Sequence, residues 1–140
     1  MFNCGYKYRP LAELKIYSRI VCSSLFLRED ERVVLLFILD RTIGWHNVWE
    51  TISTTQFANG VITRRRGCDV VAGSGTALTS DQVNAALTRL ERRGAIEAET
   101  FRGKVAYKIE EHWCHPDLEE LGMWELNDSD FDYEEDTGGE

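Results

Sequence analysis

Between Thr79 and Arg93 the side chains that can read a nucleic acid recur along one amphipathic segment: Thr79, Ser80, Gln82, Asn84, Arg89 and Arg92. An Asn or Gln amide pairs with two atoms of an adenine edge, and Arg pairs with guanine or phosphate. Hydroxyls at a helix N-terminus suit phosphate. Further cations stand nearby in sequence: Arg102 and Lys104 flank Gly103, and Arg64, Arg65 and Arg66 are consecutive. Their chemistry is contact with a phosphate backbone or a minor groove. Other chemistries are poorly served. His112, Cys114, His115 and Asp117 would crowd one short stretch with no second cluster to complete a zinc site. Gly73-Ser74-Gly75 lacks the Lys-Ser/Thr of a phosphate loop, and no nucleophile elbow or paired catalytic carboxylates occur. A protein that is not an enzyme and holds neither metal nor cofactor is expected.

The reading residues need a scaffold. Thr79 and Gln82 form a capping box, and capping is the main role expected of Gln82. Val83, Ala86, Leu87 and Leu90 make an apolar stripe, Arg92 and Arg93 suit the last turn, and Gly94 supplies the stop. Asp81, in the first turn, repels phosphate. Ala95–Phe101 and Val105–Ile109 flank Arg102-Gly103-Lys104, which predicts a hairpin with a basic tip. Upstream, helices are predicted over 11–24, with Leu14, Ile16, Tyr17, Ile20 and Val21 apolar, and over 28–41. The second has Glu29, Asp30 and Glu31 in its first turn and an apolar run from Val33 to Leu39, as a buried core helix would. Residues 47–52 read as a strand, and Ser53 caps a short helix over 54–58. Residues 61–77 are an insertion with a small hairpin about Arg66-Gly67, Val70 and Val71 packing down. Residues 1–12 read as irregular, and Trp45, Trp49 and Phe57 as core.

The expected fold class is α+β: a winged helix-turn-helix with a long insertion before the recognition helix and an acidic C-terminal tail. Residues 1–109 form the domain. Residues 110–140 form a mostly disordered tail with a short amphipathic helix at 117–126.

A set of motifs in this order is familiar: Arg41-Thr42-Ile43-Gly44-Trp45, Ile52-Ser53, Gln56-Phe57, Asn59-Gly60, Gly73-Ser74-Gly75-Thr76-Ala77-Leu78 and Leu90-Glu91-Arg92-Arg93-Gly94-Ala95-Ile96. Over roughly residues 25–109 the chain resembles the N-terminal DNA-binding domain of phage replication protein O and related phage or plasmid replication initiators. The resemblance implies a winged helix that binds origin DNA in a protein that recruits a helicase or its loader. It also places the chain in the cytoplasm of a bacterial host, in replication initiation or transcriptional regulation.

Charge divides the chain sharply. All 16 Lys and Arg lie within residues 1–108 beside 11 Asp and Glu, whereas residues 109–140 hold 13 Asp and Glu and no base. Such asymmetry suits nucleic acid, or something that competes with it. Trp124, Asp130, Phe131, Asp132, Tyr133, Glu134 and Glu135 interleave acids with aromatic anchors. They would bind a protein partner such as a helicase loader, a polymerase or a host defence protein, or fold back on the basic tip. A DNA-mimic inhibitor of a host nucleic-acid enzyme is the competing expectation, with homodimerisation left open. The four cysteines show no CxxC pair, and no apolar run reaches membrane-spanning length.

Overall fold

A computed structural model describes residues 6–8, 10–65, 67–121 and 133–135. Among the described residues it is α+β, with five α-helices and a three-stranded antiparallel sheet. The central helix is α2 (Glu29–Arg41), against which α1 (Pro10–Ser24) and α4 (Ser80–Arg93) pack. Ile16, Ile20, Val34, Leu35, Ile38, Val83 and Leu90 have essentially no exposure and meet in one core. The apolar stripe predicted for α4 is the one it buries.

Local chemistry sets each boundary. At the end of α2 the Thr42 hydroxyl donates to the Ile38 carbonyl at 2.7 Å, and a 3₁₀ turn, Ile43–Trp45, follows. Arg41 then bonds Glu50 at 2.7 Å, tying the helix end to β2 (Trp49–Thr51). Ser53 and Gln56 form a capping box on α3 (Thr54–Asn59), as Thr79 and Gln82 do on α4. Phe57 is fully buried between Phe37 and Tyr107, at ring distances of 5.2 and 5.4 Å. Gly94 ends α4 in the left-handed region, from which β5 (Ile96–Phe101) starts.

β5 pairs antiparallel with β6 (Lys104–Ile109), and β6 pairs with β2, giving the order β2-β6-β5. This order is compatible with a winged helix. Arg102 and Gly103, both at positive φ, make the two-residue turn, and Lys104 already belongs to the strand opposite Phe101. The insertion is a hairpin of β3 (Gly60–Arg65) and β4 (Cys68–Ser74), centred where the sequence predicts. The side chains of Val70 and Val71 lie outside the described residues.

Several expectations need correction. Trp45 is 63% exposed rather than core, and Leu14 and Tyr17 of α1 are exposed as well. An apolar residue on a helix can lie outside the buried arc, and composition does not reveal which arc that is. Residues 6–8, read as irregular, form β1 (Tyr6–Tyr8), paired with β7 (Tyr133–Glu135) out of the segment expected to be disordered.

The start of the acidic segment is no free tail either. Arg19, fully buried, donates to the carbonyls of Trp113, at 2.6 Å, and Glu111. Ser23 accepts from the His115 backbone N–H at 3.1 Å, and Phe26 stacks on His115. His115 Nδ1 accepts from the Asp117 backbone N–H, capping α5 (Pro116–Glu120). A buried guanidinium bonded to two carbonyls, together with this cap, holds residues 111–120 on α1. Of the helix predicted at 117–126, the described residues show the turn α5, and residues 122–126 lie outside the described residues. No helix among the described residues is long and apolar enough to cross a membrane.

The return from the insertion depends on Gly75. A Cβ there would stand 2.6 Å from the Gly60 nitrogen, and the neighbouring Thr76 N–H donates to the Phe57 carbonyl at 2.8 Å. Gly75→Ala therefore forces two backbones apart and should cost about 1–3 kcal/mol, read as a lower Tm in thermal unfolding. An unchanged Tm would show that this crossing is not tight.

Candidate nucleic-acid interface

The expected reading residues separate into two groups. Ser80, Asp81, Gln82, Asn84, Ala85, Thr88, Glu91 and Arg92 are exposed on the outward side of α4. Of these, Gln82 is committed to the capping box with Thr79: its side-chain oxygen accepts from the Thr79 N–H at 2.9 Å. The Thr88 hydroxyl donates to the Asn84 carbonyl at 2.9 Å. Asn84, Ser80 and Arg92 are left as the outward polar and cationic side chains of this helix.

Arg89 belongs to the second group, engaged within the fold instead of lying free on the outward side. Its Nε donates to Glu31 Oε2 at 2.8 Å, and a terminal nitrogen bonds Asp30. Arg93, one turn later, donates to Glu31 Oε1 at 2.7 Å. The Glu31 side chain has no exposure, so each carboxylate oxygen is held by a different guanidinium. Arg89 thus faces α2 and joins two helices. Sequence reading missed Asp30 and Glu31 as partners because they stand 59 and 58 residues away. Their acidity also had a local explanation at the start of α2.

The wing tip is organised by Phe101 and Arg102. The guanidinium lies 5.3 Å from the Phe101 ring centre, and both residues are exposed. Lys104 is exposed on the next strand and borders a cleft of about 560 Å³. Thr51, Ser53, Thr54, Gln56 and Tyr107 also line it, so Lys104 and the start of α3 share one recess. Arg64 and Arg65 lie on β3, while Arg66 and all three side chains fall outside the described residues. The same holds for Trp124, Asp130, Phe131 and Asp132. Tyr133, Glu134 and Glu135 form β7 opposite Tyr8, Lys7 and Tyr6. The acidic strand thus pairs with β1 and not with the wing strands.

Several cations of the basic body work inside the fold. Besides Arg19, Arg41, Arg89 and Arg93, Lys108 is engaged, 4.0 Å from Glu97 and 3.5 Å from Glu111. The surface offered by α4 and the wing is therefore less basic than the sequence count suggests.

At the base of the wing, burial pushes the Glu110 carboxyl up to about 7, helped by a hydrogen bond to Glu97 and by that group's charge. Between pH 4.5 and about 7 this carboxyl thus keeps its proton in the folded chain but loses it in the unfolded one. The stability it contributes is complete below pH 4.5 and is lost as pH rises through about 7. Glu110→Gln should flatten this part of the profile, so that the variant gains on the parent between pH 5 and 8. Urea unfolding across that range measures the difference, and parallel profiles would contradict the shared proton.

Compared with protein-family models, with curated proteins and with solved structures, the chain matches none.

Proposed function

We propose that this protein is a winged helix-turn-helix that binds duplex DNA, without enzymatic activity. The carrying observation is the strand order β2-β6-β5, with α3 and α4 connecting β2 to β5 and the β5–β6 turn projecting two exposed cations. In such a fold α4 enters the major groove and the wing follows the backbone. Asn84 reads an adenine edge, with Ser80, Arg92, Arg102 and Lys104 on phosphates. Arg89 fixes α4 and makes no contact to bases. The resemblance to phage and plasmid replication initiators supports a role in replication initiation or transcriptional regulation in a bacterial cytoplasm.

A second reading is favoured by one observation: Asp81 and Glu91 share the exposed side of α4 with Arg92, so its outward charge is negative. A fold of this kind can be kept for protein contact. The acidic C-terminal residues would then occupy a basic groove on a host nucleic-acid enzyme or defence complex.

Fluorescence anisotropy of the full chain on duplex DNA across a salt series separates the two. Three cations on phosphate give a slope of log affinity against log salt of roughly −3, steeper if the insertion arginines join. Arg102→Ala should reduce that slope by about 1, and Asp81→Asn should tighten binding several-fold. Absence of binding at low salt would reject the DNA reading and leave the protein-contact one.

A further inference from the structure

The cysteines form no CxxC motif, yet the fold brings two of them to one contact. Arg19, Cys22 and Ser23 stand at i, i+3 and i+4 of α1 and so share one side of that helix. Arg19 and Ser23 are the residues that dock the segment after β6. Arg19 donates to the carbonyls of Trp113 and Glu111, and Ser23 accepts from the His115 backbone N–H. Cys114 lies between those anchor points in sequence, and Cys22 lies between the two residues that hold them. The Ser23 hydroxyl donates to Cys114 Sγ at 3.8 Å, which sets that sulfur against the last turn of α1, next to Cys22. Both cysteines are thiols, and both are half-buried.

We propose that Cys22 and Cys114 form a reversible disulfide that locks the root of the acidic segment onto α1. A disulfide oxidant of the oxidised-glutathione class supplies the chemistry. The Cys22 thiolate attacks one sulfur of the oxidant, a mixed disulfide forms, and one glutathione thiolate leaves. The Cys114 thiol then gives its proton to solvent and attacks Cys22 Sγ, and the bond to the second glutathione breaks. Two protein thiols are oxidised, and one oxidised glutathione is reduced to two thiols.

The order of steps follows from the surroundings. Burial pushes the Cys114 thiol up, and the charges of Glu119 and Cys22 add to it, against the Ser23 hydrogen bond and the Arg19 charge. Cys114 therefore resists the first step, which needs a thiolate open to an oxidant from solution. In the second step its target stands beside it, and high local concentration offsets the scarcity of thiolate. Without the bond, the segment rests on the Arg19 and Ser23 contacts, the Phe26–His115 stack and the burial of Leu118. With the bond, this dock stays closed. Disulfides between part-exposed thiols are the readily reduced, regulatory kind. The inference does not depend on DNA binding.

The test equilibrates the full chain with oxidised and reduced glutathione, folded and in urea, then maps its peptides without reduction by mass spectrometry. The folded chain should link Cys22 to Cys114 in preference to any pairing with Cys4 or Cys68, and urea should erase that preference. The oxidised chain should melt at least about 5 °C above the reduced one, because the link closes a long loop in the unfolded chain. Dithiothreitol should reverse the rise. Cys22→Ser and Cys114→Ser should each remove both the link and the rise in Tm. A folded chain that keeps both thiols, stops at a glutathione adduct or links a different pair would overturn the proposal. A Cys22–Cys114 link that leaves the Tm unchanged or lowers it would equally overturn the lock.

Discussion

A buried carboxylate fixes the geometry of this protein. Glu31 sits near the start of α2 with no exposure, and Arg89 and Arg93 of α4 take one oxygen each. Removing a carboxylate from water costs several kcal/mol unless close, well-directed partners replace the solvent. Here both partners come from a single helix, four residues apart, so they define one side of it. Together with the stripe of Val83, Ala86, Leu87 and Leu90, that side sets the rotation of α4 about its axis. The outward side follows: Asn84, Ala85 and Thr88, with Asp81 and Glu91 towards its ends.

The same economy of charge runs through the fold. Arg19 holds the 111–120 segment by its carbonyls, Arg41 joins α2 to β2, and Lys108 sits among Glu97 and Glu111. A chain whose first 108 residues carry a surplus of base therefore offers a modest cationic surface. Counting charges along a sequence treats every ion as available. Ions that hold elements together are screened by their partners and contribute little to the field at a distance. On the proposed DNA-binding reading, α4 would rely on polar groups and shape more than on attraction.

Much of the fold was legible because its signals are local. The Ser53–Gln56 and Thr79–Gln82 boxes, the stop at Gly94, the Arg102-Gly103 turn and the hairpin about Arg66-Gly67 each need only a few neighbouring residues. What remained hidden was set by distant contacts. Nothing near Arg89 in sequence announces Glu31, and nothing in an acidic stretch announces that Arg19 and Ser23 will dock it. The pairing of Tyr6–Tyr8 with Tyr133–Glu135 joins the two ends of the chain. Helix α1 illustrates a different limit. Apolar residues on two of its sides gave no phase, and only burial shows that Ile16 and Ile20 face inward while Leu11 and Leu14 face out.

The role assigned to Arg89 is tested most directly by a double-mutant cycle between Glu31→Gln and Arg89→Met, read by urea unfolding. A contact that positions α4 predicts that both single changes destabilise the fold. It also predicts a coupling of about 1–3 kcal/mol between them. Additive effects, with Arg89→Met leaving stability intact while abolishing DNA affinity, would show instead that Arg89 faces the nucleic acid.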